Sequence, residues 1–301
     1  MSRAPAVVAH IQGGLGNQLF CYAMGRAMAL RAGLPLRINT LAGYRNEVYG
    51  RDCQLRAFNI EAPETGWWEG FRGPMGRSRR SWARKLNAKR PITERALIQE
   101  PKDQTFLPEL LDLKPARAVY LVGYWQDERY FADAIDTLRK DLTLRKTIQL
   151  KPDSATDELS KQPDTVSVHC RSYGEVAQLE PGVRLDAAYY DRAFAAVLER
   201  VPDARFLVFS DKPDWARQLI EATAHADRVS YAPGIDADAT TATLTDFTLM
   251  SRCKHHVLAN SSFSWWTGWL GEREGSVIIA PPNGLPGSGR GYPDRWLLTS
   301  G

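Results

Sequence analysis

Three short runs bring together residue types suited to an anionic ligand. In TVSVHCR, His169 and Arg171 alternate with Val166, Val168 and Cys170, so on an extended chain the two polar residues share one face at the run's end. A guanidinium placed there can hold two phosphate oxygens in its planar fork and balance charge on a departing diphosphate. An arginine salt-bridged to a carboxylate at a domain edge fits the same spacing, and both readings stand. In the second run, Gly13-Gly14-Leu15-Gly16-Asn17-Gln18 follows a strand-like VVAHIQ and opens a helix. Its glycines let a ligand approach backbone N–H groups at a helix N-terminus, and Gly14, Gly16, Asn17 and Gln18 are the candidate contacts. A dinucleotide fingerprint is excluded as a close match, because Leu19 stands where the third glycine belongs and no acidic residue closes PLRIN. The third run, Asn260-Ser261-Ser262-Phe263-Ser264, leads from a strand into a helix and offers hydroxyls and unpaired N–H groups to an anion; plain N-capping is the bland alternative. Trp265, Trp266 and Trp269 follow at helical spacing and read as core.

These runs need elements that aim them at one place. From residue 165 onward β-rich runs alternate with amphipathic stretches: TVSVHCR, a helix capped by Asp186, RFLVFSD ending in Ser210 and Asp211, the helix WARQLIEATA, RVSYA, the helix TATLTDFTLMSRC, HHVLAN, SSFSWWTGWLG, and SVIIAPP as a last strand. That alternation predicts a doubly wound parallel sheet, in which the loops after Arg171, Asp211, Ala232 and Asn260 line one crevice beyond the strands' carboxyl ends. The first half begins alike, with VVAHIQ, a helix ending at Gly33 and PLRIN. Residues 41–115 read as irregular, and AVYLVGY with a helix from Asp127 to about Lys140 restores order. The polar, proline-bracketed 151–164 marks a boundary between an N-terminal domain (1–155) and a C-terminal one (156–301).

Length and composition, 301 residues with 44% hydrophobic and 25% charged, fit two globular domains. No run approaches the roughly 18 apolar residues of a membrane span, and no cleavable leader pattern opens the chain, so a cytosolic protein is expected. The four cysteines are too scattered for a disulfide framework or a zinc finger and are expected to be reduced and mostly buried. Adjacent His255 and His256 point to opposite faces of a strand and cannot easily share an ion, so no metal site is expected. Net charge is +4, but Arg72, Arg77, Arg79, Arg80, Arg84, Lys85, Lys89 and Arg90 crowd one segment beside Trp67, Trp68, Phe71 and Trp82. A solvated helical insertion is the bland and preferred reading of 72–90; a basic, aromatic-flanked contact for an anionic membrane surface or an anionic acceptor is the sharper one. Nucleic acid is disfavoured, because no matching basic face appears elsewhere.

GGLGNQLFCYAMGRAMA, VYLVGYWQDERYF, VSVHCR, FLVFSD, LMSRCKHHVLANSSFSWWTGWLG and VIIAPP resemble, in that order, the successive blocks of the glycosyltransferase family 11 α-1,2-fucosyltransferases, from about residue 8 to about residue 297. The resemblance implies an α/β GT-B fold of two Rossmann-like domains facing a cleft, with GDP-fucose as co-substrate held by the C-terminal one, inversion at the anomeric carbon, no metal, no cofactor, and a galactose-terminated acceptor. It places Arg171 at the diphosphate, His169 near the nucleoside, Ser261, Ser262 and Phe263 at phosphate and base, Asp246 near guanine, and Asn17 on the cleft's other side. Family members often read HxRRGDY, whereas this chain has His169-Cys170-Arg171-Ser172-Tyr173-Gly174-Glu175. Glu175 is the first candidate for the base and Asp186 the second. A transferase for another GDP-sugar or acceptor, and a nucleotide- or glycan-binding protein without turnover, are the alternatives; a dinucleotide oxidoreductase ranks last. A cytosolic place in surface-polysaccharide assembly in bacteria, peripheral to the inner membrane through 72–90, completes the expectation.

Overall fold

The computed structural model describes residues 4–44, 50–66, 76–87, 89–174, 184–285 and 291–299. The chain divides into two compact units, residues 1–146 and 147–301. The polar 151–164 stretch lies inside the second unit, because its helix is tied there: Arg252 pairs with Asp157, and the Lys151 N–H donates to Thr245 Oγ1 at 3.2 Å.

The first unit contains β1 (Val7–His10), α1 (Leu15–Ala32), β2 (Leu36–Asn39), α2 (Leu41–Tyr44), α3 (Gly76–Asn87), β3 (Leu97–Gln99), β4 (Val119–Val122) and α4 (Ile135–Asp141). Its four strands pair in parallel in the order β2-β1-β4-β3. Alternation along β1 sends Val8 to a core with Leu97, Tyr120 and Val122, and Ala9 to the face under α1, where any side chain at Gly25 would collide with Ala9. Helix α1 is apolar nearly all round and correspondingly buried, from Leu19 and Phe20 to Met28. It stops at Gly33, whose φ of 63° supplies the left-handed cap that other residues resist.

Two expectations change in this unit. Residues 41–115 hold more regular structure than their Pro, Gly and Trp content suggests: α3 forms from a proline-free run of good helix formers, and three-residue β3 is too short to leave a periodic signal. The helix expected from Asp127 starts as two 3-10 turns, Glu128–Tyr130 and Ala132–Ala134, and becomes α-helical only at Ile135. Tyr130 and Phe131, both buried, lie at these turns and set the backbone there.

The second unit contains α5 (Ser154–Ser160), β5 (Thr165–Cys170), α6 (Ala187–Leu198), β6 (Arg205–Ser210), α7 (Pro213–Glu221), β7 (Val229–Tyr231), α8 (Ala239–Arg252), β8 (His255–Val257), α9 (Ser262–Gly271), β9 (Ile278–Ala280) and β10 (Leu297–Leu298). The strands form one parallel sheet in the order β10-β9-β8-β5-β6-β7. SVIIAPP is therefore not the last strand; β10 extends that edge. Val166, Val168 and Cys170 pack with Phe206, Val208, Tyr190, Phe194 and Ile220 on one side, while Leu207 and Phe209 meet Leu249 and Met250 of α8 on the other. The chain winds β5-β6-β7 outward in one direction and then returns through α8 to lay β8 against the opposite side of β5. The direction of winding thus reverses between β5 and β8, where such sheets open a crevice at their carboxyl ends. Trp265, Trp266 and Trp269 are core residues, each no more than 1% exposed.

Candidate active site

The loop leaving β5 is held by one carboxylate. Asp211, just beyond β6, accepts hydrogen bonds from the Ser172 N–H (2.9 Å), the Ser172 hydroxyl (2.7 Å) and Arg171 Nη1 (2.9 Å). Both open readings of Arg171 are therefore answered in part: the side chain is ion-paired, and the pair stands at the crevice with about a quarter of the arginine side chain exposed. Asp211, expected as a ligand contact, is engaged in positioning Arg171 and Ser172. Ser210 accepts from the Lys212 N–H through Oγ (3.0 Å), shaping the turn that carries Asp211. Tyr173 takes the left-handed conformation (φ 54°), its ring 5.4 Å from the Arg171 guanidinium, and donates its hydroxyl proton to the Asn260 carbonyl at 2.6 Å. That bond closes the crevice floor across the β5–β8 reversal. Beneath it, Tyr190 of α6 donates to the His169 carbonyl (2.9 Å) and Tyr189 to the Leu258 carbonyl, so one helix pins the carboxyl ends of both strands.

Ser172, Tyr173, Tyr189 and Tyr190 were not singled out from the sequence. The serine and its neighbour stand directly after Arg171, inside the block where this chain departs from HxRRGDY, which is the signal the sequence offers for them; nothing in the sequence announces the positive φ of Tyr173.

The α8 side of the crevice is aromatic. His169 is buried, and its ring lies 5.5 Å from that of Phe263, which in turn meets Phe247 edge-on at 5.4 Å. Burial, helped by the Arg171 charge, lowers the His169 pKa to about 3, so the imidazole is neutral, and among the described residues its Nδ1 has no hydrogen-bond partner. One residue before Phe247 on α8, Asp246 is half-buried, and among the described residues no hydrogen bond or ion pair reaches its carboxylate. Desolvation raises its pKa to about 7. A carboxylate kept in reserve in this way suits a ligand that brings its own N–H donors. At the opening of α9, Ser261 caps the helix, its hydroxyl accepting from the Phe263 N–H (3.3 Å); Ser262 sits half-buried in the same first turn, where helix N–H groups lack intrahelical partners. Asn260 is buried beside them. Capping and anion binding are thus compatible here. Asp186 caps α6, accepting from the Tyr189 N–H at 2.9 Å, and Glu175 lies outside the described residues.

In the first unit the glycine turn sits at the equivalent reversal, between β1 and β4. Gly13 has φ 77°, which explains a glycine there. A side chain built at Gly14 would meet nothing, so the N-terminus of α1 is open at that point, whereas Gly16 is buried in its first turn. Asn17 accepts from Gln126 Nε2 at 2.8 Å, joining the turn to the segment after β4. Gln18, expected as a contact, is instead a buried strut: its amide donates to the carbonyls of Gly13 (3.0 Å) and Asp52 (2.8 Å) and accepts from the Gln54 N–H (2.8 Å). The segment after β4 is fixed by Glu100, which accepts from the Tyr124 and Trp125 N–H groups at 2.6 and 2.8 Å.

Among the described residues no group of three or more His, Cys, Asp or Glu is placed to hold a metal; His255 and His256 are separately buried on β8, and the cysteines are free. No helix among them is long and apolar enough to cross a membrane.

Residues 106–288, which include every candidate of the second unit, match the model of glycosyl transferase family 11. The chain belongs to glycosyl transferase family 11. This family 11 transferase is 30% identical over 288 residues to an α-1,2-colitosyltransferase of Escherichia coli, covering 91% of each chain. It is 25% identical to the O-antigen biosynthesis glycosyltransferase WbnK of Escherichia coli, covering 95% of this chain and 98% of that one. A mutant of Arabidopsis thaliana FUT1 in complex with GDP shares the fold, with a TM-score of 0.52 at 13% identity over 93% of this chain and 71% of that one. The family 11 chain accordingly has the GT-B fold, two parallel α/β units of Rossmann type. Its match to the family covers the carboxyl ends of β5 and β8, with Arg171, His169 and Phe263, and the helix α8 that carries Asp246.

Proposed function

We propose that this glycosyltransferase moves L-fucose from GDP-β-L-fucose to the 2-hydroxyl of a terminal galactose, inverting the anomeric centre to an α-1,2 linkage without a metal. The observation that carries the donor half is the set of groups at the β5–β8 reversal: a guanidinium, two aromatic rings and a helix N-terminus suit a diphosphate, a ribose and a base, and the carboxylate of Asp246 on α8, which no partner reaches among the described residues, suits the N–H edge of guanine. Arg171 takes up charge on the leaving GDP, exchanging or sharing its Asp211 partner for phosphate oxygens, and the first turn of α9 with Ser261 and Ser262 adds its N–H groups. The neutral His169 and Phe263 present apolar ring surface to the nucleoside. A carboxylate deprotonates the acceptor hydroxyl as it attacks the fucose C1, breaking the C1–O bond to GDP. Glu175 is the candidate for that role. The open glycine turn of the first unit, with Gly14 and Asn17, is the candidate acceptor side.

The likeness to an α-1,2-colitosyltransferase favours a second reading of the donor, GDP-colitose. Turnover with GDP-fucose, GDP-colitose, GDP-mannose and UDP-galactose in parallel, on a β-galactoside acceptor, decides between them. The highest kcat/KM with GDP-fucose supports the proposal. Preference for GDP-colitose moves the assignment to the second reading, and turnover with UDP-galactose alone overturns both.

A further inference from the structure

The helix α3 (Gly76–Asn87) combines two properties that a merely solvated helix does not need together. Its sequence, GRSRRSWARKLN, holds Arg77, Arg79, Arg80, Arg84 and Lys85 and no acidic residue; without these five the rest of the chain carries a net charge of −1. It also exposes its large apolar side chains. Trp82 is 68% exposed, the most of any large hydrophobic residue among those described, and Leu86, one turn on and therefore its neighbour on the helix surface, is 54% exposed. The contrast with Trp125, Trp265, Trp266 and Trp269, all fully buried, is sharp. The helix is seated at its C-terminal end, where Asn87 is buried and accepts from the Ala96 N–H (3.1 Å) just ahead of β3. Lys85, and Lys89 and Arg90 just past the helix, are exposed.

A charge run alone fits a solvated face. Charge of one sign together with a tryptophan and a leucine a turn apart fits a surface that is anionic outside and apolar just beneath, which is the headgroup layer of an anionic bilayer. Tryptophan is the side chain that prefers that boundary. We propose that α3 docks this enzyme on anionic membrane, lying in the interface plane with Trp82 and Leu86 at the acyl boundary and its cationic residues supplying the attraction to lipid phosphates. The inference goes beyond the transferase reading and does not depend on it.

Co-sedimentation of the full chain with vesicles tests it, using phosphatidylcholine alone and phosphatidylcholine with an equal part of phosphatidylglycerol. The parent protein pellets with the mixed vesicles and not with the neutral ones, and salt releases it. The double variant W82S/L86S and the triple variant K85E/K89E/R90E each lower the partition coefficient about tenfold or more. Both change exposed residues, and unchanged thermal melting shows that they fold. Equal pelleting of parent and variants, equal binding to both vesicles, a dimer in sedimentation velocity that W82S/L86S abolishes in the absence of lipid, or binding to an RNA homopolymer in place of vesicles would each overturn the proposal. Partition is read without turnover, so its failure is distinct from failure of the fucosyl-transfer reading.

Discussion

Replacing Asp246 by asparagine tests the guanine assignment through a signature that packing cannot imitate. In the free protein the carboxyl titrates near pH 7 because desolvation opposes its charge and no partner offsets it. If the ionised form receives guanine's N–H donors, only the ionised fraction binds. That fraction is roughly one tenth at about pH 6 and nine tenths at about pH 8, so affinity rises about tenfold across the interval. His169 stays neutral throughout, since its pKa lies near 3. The ligand should be guanosine, which carries no phosphate of its own to titrate there. Asp246→Asn removes the charge while nearly keeping the shape; it should weaken guanosine binding at about pH 8 by about 1.5–3 kcal/mol, the worth of hydrogen bonds to a charged group. It should also flatten the pH profile. Titration calorimetry at the two pH values, parent against variant, reads both effects. A parent profile that is flat, or a variant that keeps the parent's slope, refutes the assignment even if the variant binds weakly.

Arg171→Lys keeps the charge and loses the fork, and should lower kcat on the order of 100-fold with GDP-fucose while thermal melting stays close to the parent's; turnover within a few-fold of the parent removes Arg171 from the charge-stabilising role. Asp211→Asn weakens the three bonds that hold Arg171 and Ser172 and should cost about 1–3 kcal/mol in denaturant unfolding, with a raised KM for the donor; unchanged stability and KM contradict the positioning role. His169 and His256 are buried with pKa values lowered to about 3 from an ordinary 6.5. Their stabilising effect is complete above about pH 6.5 and is lost as pH falls towards 3, amounting to about 2 kcal/mol per histidine by about pH 5. Asp246, its pKa raised to about 7, acts in the opposite direction by about as much as one histidine, so urea midpoints should still drop between about pH 7 and about pH 5, by less than the two histidines alone would give, and substituting His256 by asparagine should reduce the drop; a midpoint that does not respond to that substitution contradicts it.

Most of the second unit, from β5 to β9, was legible because short apolar runs there alternate regularly with amphipathic ones: β5 reads as alternation, α6 shows its Asp186 cap, and the tryptophans of α9 announce a core. The first unit was legible where glycines punctuate it, at Gly13 and Gly33. What failed to show were features that depend on tertiary partners. Gln18 reads as a ligand contact because it follows Asn17 in an open turn, but the backbone of residues 52 and 54 comes back to surround it, and no local pattern announces that return. Asp211 reads as a crevice residue and is one, yet its role is set by Ser172 and Arg171, far away in sequence and adjacent only because β5 and β6 pair in register, Cys170 beside Ser210. The 3-10 start of the segment after Asp127 follows from the buried Tyr130 and Phe131, and β3 and β10 are too short to carry any period. Family blocks could name Arg171, His169 and Phe263; they could not say that Tyr173 bridges to Asn260, since this chain departs from the common pattern at that loop.

The central claim, metal-independent inverting transfer of fucose from GDP-fucose, is tested most directly by acceptor-dependent release of GDP with and without EDTA, followed by NMR of the product's new glycosidic bond. Equal rates in both conditions and an α-fucosyl unit on the galactose 2-hydroxyl are predicted. Activity abolished by EDTA and restored by a divalent cation, or a product of β configuration, would contradict the account.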